Sequence, residues 1–151
     1  AFGNEVFRAD GSLDRGRVAE LVFSDDADRR ALEDILHPRI RATWLGNLDR
    51  WAGEGVALGV AVIPLLYETG SEAAFDRIVC VACSPATQRE RLRQRDWSDE
   101  EIDRRIAAQM SATEKMKRAD HVVWTDGPAS AHADQWDDLL ARWRGASSTV
   151  A

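Results

Sequence analysis

Three short apolar runs, separated by stretches of helical periodicity, limit the fold of this chain more than any other feature. Residues 56–66 (VALGVAVIPLL) are almost continuously apolar and rich in valine, too short for an amphipathic helix and suited to a strand buried on both faces. Residues 76–83 (DRIVCVAC) repeat the pattern and lead into Ser84-Pro85, a helix cap followed by a residue whose φ is already helical. Residues 120–124 (DHVVW) form a third run. After it come a Thr125-Asp126-Gly127-Pro128 loop and a last amphipathic helix over residues 130–144, with Ala133, Trp136, Leu139, Leu140 and Trp143 on its apolar face. Strands alternating with helices predict an α/β fold built on a parallel sheet.

The residues ahead of the first run read as a helical layer. Asp10-Gly11-Ser12 is a turn, and Asp14 caps a short helix carrying Val18, Leu21 and Val22. Ser24 caps a second helix with Ala31, Leu32, Ile35 and Leu36. It is predicted to stop where Pro38 disfavours the helical conformation of His37. Pro38 then opens a third, in which Ile40, Trp44, Leu45, Leu48 and Trp51 recur at helical spacing up to Gly53 and Gly55. Further on, a helix runs from Pro85 to about Arg95. Ser98 with Glu101 and Ser111 with Glu114 match capping boxes that open two more short helices. Residues 145–151 are small and polar, a loose tail.

Composition serves mainly to exclude. With 151 residues the chain can bury one core without staples. Twenty basic against 26 acidic side chains give a net charge of -6, so the surface as a whole repels polyanions, no nucleic-acid partner is expected, and any anion site is local. No stretch approaches the roughly 20 apolar residues of a membrane span, and the N-terminus lacks a signal-peptide pattern, which predicts a cytoplasmic location away from membranes. Cys80 and Cys83 form C-x-x-C, but both fall in a predicted strand rather than at a helix N-terminus, which favours core packing over redox chemistry. His37, His121 and His132 have no ligand-like spacing with them, so no metal site is expected.

Of the basic residues only Lys115 and Lys117 are lysine, and the arginines crowd into one segment. Arg89, Arg91, Arg93 and Arg95 alternate along RERLRQR, with Arg104, Arg105 and Arg118 following. Arg91 and Arg95 stand four apart and share a helical face. They either grip neighbouring oxyanions of one phosphate chain or belong to a solvated face balanced by Glu90, Asp96, Asp99, Glu100 and Glu101; spacing leaves both open. His37, beside Pro38, reads equally as a cap or as a ligand contact. Glu68 lies at the carboxyl end of the first predicted strand, where open α/β sheets bind ligands.

Taken in order, these landmarks resemble the dephospho-coenzyme A kinase family. DGSLDR (residues 10–15), Val22-Phe23, ILHP (35–38), PLLYETG (64–70), QRD (94–96), AAQM (107–110) and Ala119-Asp120 fall in that family's order and approximate spacing, over roughly residues 1–143. The resemblance implies a P-loop kinase that moves the γ-phosphoryl of ATP, with Mg2+, to the 3′-hydroxyl of the ribose of dephospho-coenzyme A, the last step of coenzyme A synthesis. Its small-molecule partners are therefore ATP and dephospho-coenzyme A. By the same likeness residues 1–55 form a helical acceptor-binding region, 56–90 and 119–144 the core parallel α/β part, and 91–118 a helical lid. His37, Arg41, Pro64, Leu65, Leu66 and Glu68 would meet the acceptor. Arg91 would lie on the nucleotide base and Arg95 on the phosphates as the catalytic arginine, while Thr125, Asp126 and Gly127 approach the adenine.

Three departures qualify the likeness. Val62 stands where many members carry aspartate, and Thr125 where asparagine is usual. Such kinases also begin with a strand and G-x-x-x-x-G-K-S/T, whose amides and lysine cradle the phosphates. Neither Lys115 nor Lys117 follows a glycine and nothing precedes Ala1, so the chain is expected to be a fragment lacking the first βα unit. Alone it is then expected to be inactive. The first strand is central in such folds, so unpaired edges should drive self-association. Two other classes stay open: a binding or regulatory module that keeps acceptor or nucleotide affinity without the P-loop, and a helical interaction domain with tryptophans on its surface.

Overall fold

The computed structural model describes residues 2–147, which divide between Ile63 and Pro64 into two compact units.

In the first unit a 3-10 turn, Asn4–Val6, is followed by a tight reversal in which Phe7 bridges Leu13. The Asp10 carboxylate holds the reversal by accepting from the Ser12 amide at 2.9 Å and the Ser12 hydroxyl at 2.6 Å, and Gly11 supplies the left-handed φ of 80°. Helix α1, Arg15–Ser24, is capped as predicted by Asp14, which accepts from the Arg17 amide. Helix α2, Asp26–Gly53, is capped by Asp25 and not by Ser24, whose hydroxyl turns back to the Leu21 carbonyl.

Two further expectations fail in this unit. Pro38 does not end a helix; α2 runs through it without interruption. A proline lacks one N–H and so forfeits one bond, to residue 34, and the turns on either side of a 28-residue helix outweigh that loss. Nor do residues 56–63 form a strand. They are irregular, with Val56, Leu58, Val60 and Val62 exposed, the last by 90%. A strand is defined by a hydrogen-bonded neighbour, and among the described residues none lies beside this run. Gly59 passes against Trp51, where an added Cβ would come within 2.7 Å of the indole ring.

The second unit opens with turns over residues 64–70 and a 3-10 turn, Glu72–Ala74. The chain then enters β1, Val79–Ala82, pairs it in parallel with β2, His121–Trp124, and crosses between them through helices α3, Pro85–Arg93, α4, Asp99–Ala107, and α5, Ala112–Arg118. The register sets Val79 beside His121 and Ala82 beside Trp124. Cys80 lies in β1 and Cys83 just beyond it, so the two do not share a strand as predicted. All three crossover helices begin at the serine the pattern indicates: Ser84, Ser98 and Ser111 each accept from the amide three residues on. Helix α6, Ala129–Ser147, extends three residues into the expected tail, whose residues 148–151 lie outside the described residues.

Ile102 and Val123 are fully buried, with Tyr67, Ala82 and Leu139 beside them in exposure. The fold is therefore α/β, with a small parallel sheet flanked by helices.

Candidate functional site

The carboxyl ends of β1 and β2 lead directly into residues for which the family likeness implies nucleotide contact. Thr125 follows β2 and is 9% exposed; its amide and hydroxyl both donate to the Ala82 carbonyl, at 2.8 and 3.0 Å. Arg91, two residues before the end of α3, donates to the Thr125 hydroxyl at 3.0 Å and also to the Thr125 carbonyl oxygen. Asp126 accepts from the Ser84 amide at 2.8 Å, and that bond, ahead of weaker contributions from Ser84, Thr87 and Arg91 side chains, holds its carboxyl below the usual range. At Gly127 an added Cβ would meet only the Ala131 Cβ, at 3.6 Å, so packing does not demand glycine there. Arg91, Thr125 and Asp126 are thus brought together at the strand ends where open α/β sheets take ligands.

The arginine segment sorts itself into spent and unspent charges. Arg93 donates to Asp99 at 2.9 Å, and Arg89 pairs with Asp103 across the α3–α4 contact. Arg105 donates to Glu101 within α4 at 2.8 and 3.0 Å and stacks 3.9 Å from the centroid of the Trp97 ring. With Arg91 fixed on Thr125, Arg95 is the member of RERLRQR that has no carboxylate partner among the described residues; its guanidinium lies 5.8 Å from the same Trp97 ring. The solvated-face reading thus describes Arg89 and Arg93, whereas Arg91 and Arg95 are differently engaged.

Glu68 is held rather than open. One of its oxygens accepts from Lys115 at 2.8 Å and from the Met110 amide at 2.9 Å, and Lys115 reaches on to the Pro64 carbonyl at 3.2 Å. The Lys115 and Glu68 side chains are 18% and 20% exposed. Burial pushes the Glu68 carboxyl up, but the hydrogen bonds from Lys115 and the Met110 amide outweigh it and leave it below the usual 4.5. Beside this cluster Arg118 pairs with Glu72 and covers the Tyr67 ring at 4.4 Å. Burial raises the Cys80 thiol, the opposite of what a reactive thiolate needs. Leu65 and Leu66 are half-buried, and Pro64 is exposed.

In the first unit His37 and Arg41 both belong to α2. Because that helix continues across Pro38, they stand four residues apart on one face, His37 half-buried and Arg41 exposed. Two residues escaped the sequence reading: Lys115, read only as part of a basic segment, and Trp97, not singled out at all. Nothing in the spacing links position 68 to 115. The arginines that flank Trp97 were the one available signal for its stacking.

Comparison with known proteins follows the same lines. The family model described as dephospho-CoA kinase matches residues 1–130. A dephospho-CoA kinase of Anaeromyxobacter dehalogenans is 45% identical over 145 residues, covering 95% of this chain and 69% of its relative. One from Bacillus cereus is 39% identical over 143 residues, covering 94% and 72%. Among solved structures, TT1252 from Thermus thermophilus superposes with a TM-score of 0.69 at 32% identity, over 91% of this chain and 71% of that one. A dephospho-CoA kinase from Campylobacter jejuni gives 0.63 at 26%, over 93% and 70%.

Proposed function

This chain belongs to the dephospho-CoA kinase family, and from that premise we propose that its residues form the lid, adenine loop and acceptor side of an enzyme that transfers the γ-phosphoryl of ATP to the ribose 3′-hydroxyl of dephospho-coenzyme A. The observation that carries this reading is the division of labour in the arginine segment. Arg91 is docked on Thr125 at the strand ends, while Arg95, one turn on, keeps an uncompensated charge.

In this reading Arg91 covers the nucleotide base above the loop 125–127. Arg95 takes the phosphates and stabilises the charge spread over the transferring group, the work that dominates phosphoryl transfer. His37 and Arg41 offer two donors one turn apart to an acceptor phosphate, and Pro64, Leu65 and Leu66 offer apolar contact. Glu68 acts on the acceptor side through the turn it fastens to Lys115. The region boundaries follow: 1–55 acceptor side, 56–90 and 119–144 core, 91–118 lid. A cytoplasmic location goes with the substrates.

Mg2+ would accompany ATP in the complete enzyme, held chiefly by the phosphates and one or two protein oxygens. Among the described residues no three His, Cys, Asp or Glu side chains converge, and Val62 is exposed in an irregular segment. The 151 residues also contain no G-x-x-x-x-G-K-S/T, so we propose that they bind substrates without turning them over.

Calorimetric titration of dephospho-coenzyme A and of ATP, separately, into the 151-residue chain tests this. Heat of binding is expected for both, weaker for ATP, with Arg95→Ala lowering ATP affinity about tenfold and Arg93→Ala leaving it unchanged. Binding of neither ligand, or equal effects of the two substitutions, overturns the reading.

A further inference from the structure

Carboxylates of α4 take three of the arginines near Arg95, and Arg95 is paired with none of them among the described residues. Arg89 and Arg93 are taken by Asp103 and Asp99, and Arg105 by Glu101. Two local features account for the difference. Helix α3 ends at Arg93, and Asp96 adopts a left-handed backbone with φ of 58°, a conformation uncommon outside glycine, which turns the chain between Arg95 and Trp97. The Arg95 guanidinium then lies 5.8 Å from the Trp97 ring centroid, and the same half-buried ring carries Arg105 at 3.9 Å.

An aromatic face differs from a carboxylate as a partner for arginine. It attracts the cation through its quadrupole but carries no charge, so the guanidinium is oriented without being neutralised. Two guanidinium groups on one ring also repel each other, and only Arg105 has a carboxylate to offset this. An incoming polyanion would relieve that repulsion.

We propose that Trp97 is a positioning residue that holds Arg95 away from the carboxylates of α4 and keeps its charge available to a polyphosphate. The inference rests on the reading above, in which Arg95 receives the phosphates of ATP. It adds a residue that touches neither substrate and acts through Arg95.

The experiment follows the Arg95 side-chain Nε–H resonance by NMR in the 151-residue chain, free and titrated with inorganic tripolyphosphate, in the unsubstituted chain, Trp97→Phe and Trp97→Leu. In the free chain an aromatic ring-current shift is expected at Arg95, kept in part by Phe and lost in Leu. Tripolyphosphate should shift this resonance. Its affinity should fall about three- to fivefold in Trp97→Leu and less than twofold in Trp97→Phe, which retains an aromatic face. Far-UV circular dichroism and Met110 amide exchange separate loss of fold from loss of positioning. If Trp97→Leu unfolds the segment, Trp97→Met, flexible and without a ring, takes its place in the comparison. An Arg95 resonance without ring-current shift, or affinity that ignores the aromatic face, overturns the positioning role alone. No response of Arg95 to tripolyphosphate in the unsubstituted chain overturns the phosphate reading beneath it.

Discussion

Arg91 is tied to Thr125 twice, through the hydroxyl and through the carbonyl oxygen, while Thr125 is tied twice to Ala82. A single side chain after β2 therefore fastens α3 to the carboxyl end of β1. The hydroxyl does two jobs at once, accepting from Arg91 and donating to Ala82. Thr125→Val keeps the shape and removes both, leaving the amide bond to Ala82. A loss of about 1–2 kcal/mol is expected, with Thr125→Ser near neutral, read by urea denaturation. Equal stability of the valine and serine variants would show that the hydroxyl is dispensable.

The Glu68–Lys115 pair makes stability depend on pH in the acid range. Net hydrogen bonding holds the folded carboxyl below 4.5, so its contribution is complete above that value and disappears as pH falls through the folded pKa. Glu68→Gln removes this contribution. The stability gap between the unsubstituted chain and the glutamine variant is expected to be widest near neutrality and to close as the pH falls through the lowered folded pKa. Thermal melts at a series of pH values check it; a gap that widens in acid contradicts the sign.

Asp96 bears a strain that glycine would not. Its φ of 58° lies in the left-handed region, which costs an ordinary L-residue roughly 1 kcal/mol and an aspartate somewhat less. Asp96→Gly should be neutral or slightly stabilising, and Asp96→Val destabilising by about 1–2 kcal/mol. Denaturant melts of the two variants provide the comparison. Since the turn sets Arg95 against Trp97, the valine variant should also lose the ring-current shift at Arg95.

What could be read in advance was local. Ser84, Ser98 and Ser111 cap helices because a serine with a good helix former behind it needs no distant partner. The run at 56–63 misled because burial and pairing are properties of a neighbour: its valines are as apolar as those of β1, but only β1 has a strand beside it. Pro38 misled in the other direction, since its local preference yields to the long helix around it. At the site, arginine spacing singled out the segment holding Arg91 and Arg95 but left open whether it binds an anion. The 34-residue gap between Arg91 and Thr125 concealed that they meet, and the likeness to known kinases, not periodicity, set them side by side.

The two edges of the sheet are treated differently. On the outer edge of β2 the Gln135 side chain accepts from the Trp124 amide at 2.8 Å and donates to the Trp124 carbonyl at 2.9 Å, standing in for a neighbouring strand. Among the described residues β1 has no such cover. The Ile78 and Ala82 carbonyls point to the β2 side, so by the alternation of an extended chain the backbone groups of Val79 and Val81 point away, to an edge with no strand beside it among the described residues. The Val81 side chain there is 59% exposed. A short, apolar, uncharged edge of this kind pairs with other chains. The 151-residue chain is expected to self-associate between micromolar and millimolar concentration, with Val81→Lys lowering the weight-average mass because a charge on the edge opposes pairing. Sedimentation velocity at several concentrations measures this directly. A monomer throughout the range, or association that Val81→Lys leaves untouched, would remove the β1 edge from consideration.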